Sequence, residues 1–239
     1  MARIVLVHGF TQTRACWGGL ISQLIDHHDV TALDAPGHGT AADVRTDLWQ
    51  TADWLVEQGG PAIYLGYSMG ARMCLHAALA HPDAVHGLAL VSGTGGIDDP
   101  DERSARREAD ERLALRVEDV GVETFVDEWL AQPMFSHLSA AAQWREARLA
   151  NSAGGLASSL RLCGTGTQDP LWDRLHEIAV PTLVTAGAAD EKFSAAAKRL
   201  AAGIDAASLE ILDDAGHSVH LEQPGRFGLM LTEWLADNR

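Results

Sequence analysis

The chain has 239 residues, 46% hydrophobic and 21% charged, with a formal net charge of −15 at pH 7 and an isoelectric point near 5.0. This is the profile of one soluble globule able to bury a full core. A surface so acidic excludes nucleic acid and anionic membranes as general partners, and any anionic ligand must be held by a local cluster of cations acting against the field of the whole molecule.

In chain order, the pattern predicts a strand over 3–8, a helix over 18–27, a strand over 29–34, a helix over 43–58, a strand over 62–68, a helix over 69–80 and a strand over 85–92. The strands are short β-branched or apolar runs; the helices are longer and amphipathic. From about 96 to 165 no strand pattern occurs, only helical runs rich in Arg, Glu, Ala and Trp. The alternation then resumes, with a helical pattern over 169–177, a strand over 181–187, a helix over 193–202, a strand over 208–213 and a helix over 223–237. Strand–helix alternation implies an α/β fold with a mainly parallel sheet flanked by helices on both faces. Residues 1–95 and 166–239 are expected to form one core, and 96–165 an inserted helical cap over the carboxyl edge of the sheet, where ligands of open α/β sheets bind.

The apolar run in "MARIVLVHGF" is too short for a signal peptide or a membrane span, no later run reaches membrane length, and a cytoplasmic location is expected. Cys16, Cys74 and Cys163 are widely spaced and odd in number, which predicts reduced thiols rather than a disulfide framework or a metal site.

"GYSMG" (66–70) sits between a predicted strand and a predicted helix, the setting of a Gly-x-Ser-x-Gly nucleophile elbow. The serine occupies a strained turn, and the flanking glycines leave room for the backbone. By itself the pentapeptide is a weak signal; in this setting it makes Ser68 a candidate catalytic residue. "HGF" (8–10) ends the first strand, and the Phe10 and Met69 N–H groups are placed to form an oxyanion hole, although a plain glycine turn would read the same way. Asp190 in "AGAADEKF" falls just past a strand end, and His217 in "DAGHSVHLEQP" follows the last strand. Ser, Asp, His is the chain order of α/β-hydrolase triads. Asp190 would fix the tautomer of His217, which would take the Ser68 proton. His220 is the rival base, and His8 is read as shaping its turn.

Arg72 lies one helical turn past Ser68 and on the same face. The chain has only two lysines, Lys192 and Lys198, so a lone arginine here carries little information. Arg72, the arginines of "SARREAD" (104–110) and "REARLANSAGG" (145–155), and Lys192 would each be a solvated residue alone. Together they suggest a pocket for several carboxylates, which guanidinium groups bind bidentately.

On "LVHGFTQTRACW", "DAPGHG", "GYSMGAR", "RREAD", "FVDEWLAQPMF", "RLANSAGGLASSLRLCGTGTQDPLW", "DEKF" and "AGHSVHLEQP", the chain resembles the 2-succinyl-6-hydroxy-2,4-cyclohexadiene-1-carboxylate (SHCHC) synthase family of α/β hydrolases nearly end to end. The resemblance implies an α/β-hydrolase fold with a helical cap, a triad of Ser68, Asp190 and His217, and substrate contacts from Tyr67, Arg72, Arg106, Trp129, Arg148 and Lys192. It implies a lyase of menaquinone biosynthesis that eliminates pyruvate from a tricarboxylate, with Ser68 as base and an enolate in the oxyanion hole. Neither metal nor organic cofactor is expected, and the expected partner is a small polycarboxylate substrate. Ala71 stands where the family usually has a second glycine, "GAAD" replaces a Gly-Glu-x-Asp, and the family's strands upstream of "HGF" have no counterpart here. The alternatives are a cofactor-free hydrolase of an anionic ester, thioester or C–C substrate, and a hydrolase-fold receptor.

Overall fold

The computed structural model describes residues 1–238. Six strands form one sheet: β1 (Arg3–Val7), β2 (Asp29–Leu33), β3 (Ala62–Tyr67), β4 (Val85–Val91), β5 (Thr182–Gly187) and β6 (Ala207–Leu212). Their order is β2-β1-β3-β4-β5-β6, and every pairing is parallel. The edge strands β2 and β6 are partly exposed, whereas β3 and β5 are buried at every residue.

The helices are α1 (Gly18–Leu24), α2 (Leu48–Gly59), α3 (Met69–Ala80), α4 (Pro100–Leu130), α5 (Arg145–Arg148), α6 (Ala153–Cys163), α7 (Glu191–Gly203), α8 (Val219–Glu222) and α9 (Pro224–Asp237). Alternating residues of each strand feed two cores, as the period of two requires. Val5, Val7, Tyr64, Leu88, Leu90 and Val184 pack with α2, α3 and α7. Ile4, Leu6, Leu65, Ala89, Val91 and Leu183 pack with α1 and α9 on the other face.

The order reverses between β1 and β3. From β1 the chain runs outward to β2; from β3 it runs the other way to β4. Connections leaving the carboxyl ends of these neighbours diverge, which opens a crevice there.

Between β4 and β5 the chain builds α4, α5 and α6. Asp99 starts α4 by accepting from Asp101 N and Glu102 N, with Pro100 at the first helical position. Gly121 (φ 78°, ψ 170°) breaks α4 into two rods. Ala114, Val117, Phe125, Leu156, Ala157 and Leu160 of α4 and α6 make a small core of their own, with Phe10 and Trp129 against it.

The helical pattern over 169–177 becomes irregular chain followed by a 3-10 helix over Trp172–Glu177. Tertiary tethers override the periodicity: Leu171 N donates to Gly95 O at 2.7 Å and Trp172 Nε1 to Gly96 O at 3.2 Å. The three cysteines are free and buried. Among the described residues no helix is long and apolar enough to cross a membrane.

Candidate active site

Ser68 links β3 to α3 with φ 53° and ψ −107°, a strained conformation for a residue with a side chain. Two close approaches hold it. A Cβ on Gly66 would lie 2.3 Å from Gly70 O, and one on Gly70 would lie 2.1 Å from Val7 O. Only glycine lets the elbow press on its own helix and on the end of β1. The extra methyl of Ala71 is accommodated opposite Gly93, where a Cβ would come within 2.8 Å of it.

His217 meets Ser68 and Asp190. Its Nε2 is 3.0 Å from Ser68 Oγ, and its Nδ1 is 2.8 Å from Asp190 Oδ2. A carboxylate only accepts, so Nδ1 carries the proton and Nε2 is free to take one from Ser68. Burial pushes the Asp190 carboxyl up, but the hydrogen bond and charge of His217, the Phe193 N–H and Lys192 outweigh it, and the net pKa lies below the ordinary value. His220 has no such partners. Its ring is packed between Trp17 and Tyr67, tilted to both, at centroid distances of 4.6 and 4.4 Å, and burial lowers its pKa to about 3. It is a core ring that makes none of the contacts His217 makes with Ser68 and Asp190.

The His217 loop is clamped from three sides. Glu222 accepts from Gly216 N at 2.5 Å and from Ser218 N at 2.8 Å, the amides on either side of His217. Ser92 Oγ donates to His217 O at 2.7 Å. Tyr67 OH and Ser218 Oγ are 2.6 Å apart.

The loop after β1 approaches the elbow because Gly9 has no side chain; a Cβ there would lie 2.7 Å from the Tyr67 ring. Two buried histidines hold it. His8 donates from Nδ1 to Gly9 O and accepts from Ala35 N at 3.0 Å; His38 donates from Nδ1 to Pro36 O and accepts from Thr11 N at 3.2 Å. Burial lowers their pKa values to about 4 and about 3, so both rings are neutral. Asn151 Nδ2 donates to Thr11 O at 2.7 Å, and Arg148 donates to Thr11 Oγ1. Among the described residues, neither the Phe10 N–H nor the Met69 N–H has a protein acceptor. Met69 is the first residue of α3, where an N–H has no intrahelical partner.

Above these groups lies a cavity of about 450 Å³. Ser68, Asp190 and His217 reach it from the strand ends, and Arg106, Leu113, Trp129 and Leu160 from α4 and α6. Of the six expected substrate contacts, Arg72, Arg106, Trp129 and Lys192 line this cavity. Tyr67 and Arg148 do not; they line a neighbouring space of about 30 Å³ that shares Phe10, Ser68, Trp129 and His217 as walls.

The cations differ in their counter-ions. Arg106 pairs with Asp110 at 2.8 Å, and Lys192 is exposed, with Nζ 5.8 Å from the Phe193 ring centre. Arg72, 7% exposed, and Arg148, 1% exposed, make no ion pair among the described residues. Arg72 Nη1 donates to Cys163 O at 2.8 Å, and burial lowers its pKa to about 10, still cationic at neutral pH. Arg148 Nε donates to Gln143 O at 2.8 Å, while its buried Nη2 has no acceptor. Charges this deep without a counter-ion are costly. They suit a site whose counter-ion arrives with the ligand. Among the described residues no three His, Cys, Asp or Glu side chains group as metal ligands.

Sequence reasoning missed His38, Glu222, Asn151 and Asp110 as supports. The quoted segments "DAPGHG", "RREAD", "RLANSAGG" and "HLEQP" held all four in plain view, but their bonds reach across the fold.

Residues 4–227 match the model of the alpha/beta hydrolase family. A Bacillus subtilis protein provisionally assigned as 2-succinyl-6-hydroxy-2,4-cyclohexadiene-1-carboxylate synthase is 36% identical over 97% of this chain and 89% of its own. The synthase of that name from Enterobacter sp. is 30% identical over 97% of this chain and 91% of its own. The structure of MenH from S. aureus superposes with a TM-score of 0.91 at 32% identity, covering 98% of this chain and 93% of that one. A malate-bound esterase from Thermogutta terrifontis superposes at 0.83 with 25% identity, over 98% and 89%. The chain belongs to the 2-succinyl-6-hydroxy-2,4-cyclohexadiene-1-carboxylate synthase family of α/β hydrolases.

Proposed function

We propose that the protein is a carbon–oxygen lyase of menaquinone biosynthesis. It would eliminate pyruvate from 2-succinyl-5-enolpyruvyl-6-hydroxy-3-cyclohexene-1-carboxylate to give SHCHC. The observation that carries this reading is the pair of buried arginines without acidic partners, Arg72 and Arg148, beside Ser68. A neutral ester would not repay their burial; a substrate with three carboxylates would. Arg106 and Lys192 add charge at the cavity wall, and α4 to α6 act as the cap.

In this mechanism Ser68 Oγ gives its proton to His217 Nε2 and takes one from the ring carbon next to the succinyl ketone. The electron pair goes to the ketone oxygen, where the Phe10 and Met69 N–H groups receive it. Such a donor is typically worth about 2.7–4 kcal/mol in the transition state. The enolate then collapses through the ring double bond and breaks the C–O bond to the enolpyruvyl group, which leaves and takes up a proton to become pyruvate. One C–H and one C–O bond are broken, and the ring gains one double bond. Asp190 stabilises the imidazolium formed on the way. Trp129 walls the ring, and Tyr67 flanks Ser68 from the neighbouring space.

A second reading, hydrolysis of an anionic ester, is favoured by the same Ser68–His217–Asp190 distances and by the shared fold of the esterase. The test is pyruvate release from freshly made substrate, set beside turnover of simple esters. Pyruvate release far faster than ester cleavage supports the lyase. Ester cleavage without pyruvate release would establish the hydrolase.

A further inference from the structure

The cavity contains an oddity for an anion site: a carboxylate, Asp110, sits behind its wall at 1% exposure. A negative charge there should repel the ligand. Its bonds explain its place. Oδ1 accepts from Arg106 Nε at 2.8 Å and Oδ2 from Gly166 N at 3.3 Å. The Nη1 and Nη2 groups of Arg106 donate to no protein acceptor among the described residues, and Arg106 lines the cavity. Holding a guanidinium by Nε leaves its two-nitrogen end as a fork for a carboxylate.

The same carboxylate grips the loop that supports Arg72. A Cβ on Gly164 would lie 2.5 Å from Asp110 Oδ2, and one on Gly166 would lie 2.3 Å from Arg107 N, so this loop rests directly on α4. At the two ends of the loop, Cys163 O accepts from Arg72 Nη1 at 2.8 Å, and Gln168 Oε1 lies 3.5 Å from the same nitrogen. Arg72 on the core helix and Arg106 on α4 are thus set by one bracket.

We propose that Asp110 is a positioning residue that aims Arg106, and through the 163–168 loop Arg72, at two carboxylates of the ligand. This rests on reading the cavity as a polycarboxylate site. It makes a prediction of unusual sign. If only local charge mattered, Asp110→Asn would make the cavity more positive and tighten anion binding. If position matters, the amide's one acceptor holds Arg106 Nε only by a weaker, uncharged bond while its donor faces Gly166 N, so the bracket loosens and binding weakens.

The experiment measures pyruvate release and, separately, the Kd of succinate by calorimetry, for wild type, Asp110→Asn, Arg106→Ala and the double variant, with Tm as the check on folding. Asp110→Asn should raise KM and the succinate Kd by about ten- to a hundredfold, the range of a charge-assisted bond, with kcat nearly unchanged as for uniform binding. On the Arg106→Ala background most of that rise should vanish. Unchanged or tighter binding in Asp110→Asn overturns the proposal, as does a full further rise on the Arg106→Ala background. If Asp110→Asn fails to fold, Arg106→Lys decides: an ammonium drawn to Asp110 presents no fork, so its KM should match that of Arg106→Ala. A wild-type KM there overturns the proposal. Wild type that binds succinate but releases no pyruvate would fail the lyase reading alone, with the succinate Kd of Asp110→Asn still deciding. Wild type that does neither overturns both.

Discussion

Replacing Arg72 by methionine should make the protein more stable and nearly inactive. Arg72 is 7% exposed and has no ion-pair partner among the described residues. Burial lowers its pKa to about 10, which at 1.36 kcal/mol per pKa unit is about 3 kcal/mol against the charged form. Methionine keeps the apolar stem packed and removes that cost. The variant leaves Cys163 O without its donor, a loss of about 1–3 kcal/mol. The balance is a gain of about 1 kcal/mol, or roughly 2–4 °C in Tm for a chain of this size. Pyruvate release should fall by ten- to a hundredfold or more, the value of a charge-assisted bond. Succinate should raise the Tm of wild type and not of the variant, since only a ligand bound to the native state stabilises it. The assay is thermal unfolding with and without succinate, beside steady-state kinetics. A variant less stable than wild type by more than about 1 kcal/mol would mean that Arg72 is a structural strut, and the argument from unpaired buried charge would fail.

Gly70→Ala should cost at least about 1–3 kcal/mol and most of kcat, because its Cβ would meet Val7 O at 2.1 Å; wild-type Tm and kcat together would contradict the elbow geometry. Glu222→Gln can satisfy only one of the two amides flanking His217, so kcat should drop about tenfold or more with KM little changed; a pure KM effect would speak against a clamp on the base. Acid should destabilise the fold from about pH 6.5 downward. His8, His38, His76 and His220 have folded pKa values lowered by burial to about 4, 3, 4 and 3. The unfolded chain therefore binds more protons between about pH 6.5 and 4, and stability, intact above 6.5, falls by about 1.4 kcal/mol per pH unit for each such ring. Calorimetry at pH 5 should show several protons taken up on unfolding; uptake near zero would show that the rings are not buried neutral.

The sheet was legible because buried parallel strands write themselves as short β-branched runs, and all six predicted strands lie within a residue or two of the observed ones. The elbow was legible because Gly66, Ser68 and Gly70 must be close in sequence to make one turn. His217 was preferred to His220 by its loop; in the fold His217 meets Ser68 and Asp190, whereas His220 is enclosed by Trp17 and Tyr67. The helical pattern at 169–177 misled because periodicity is local, whereas Leu171 and Trp172 are tied to Gly95 and Gly96. The cations could be listed from the sequence but not ranked. Whether an arginine is paired, like Arg106, or left without a counter-ion, like Arg72 and Arg148, depends on neighbours far away in the chain. For the same reason the supports of the site, His38, Asn151, Glu222 and Asp110, became visible only in the fold.

In the proposed reaction Ser68 removes a proton and forms no covalent bond. Rapid-quench mass spectrometry of the intact protein during a single turnover, with pyruvate followed in the same samples, tests it most directly. The proposed substrate has no ester or thioester to acylate, so the unmodified protein mass is expected at every time while pyruvate appears. An adduct on Ser68 that forms and decays at the rate of turnover would contradict it and make Ser68 a nucleophile.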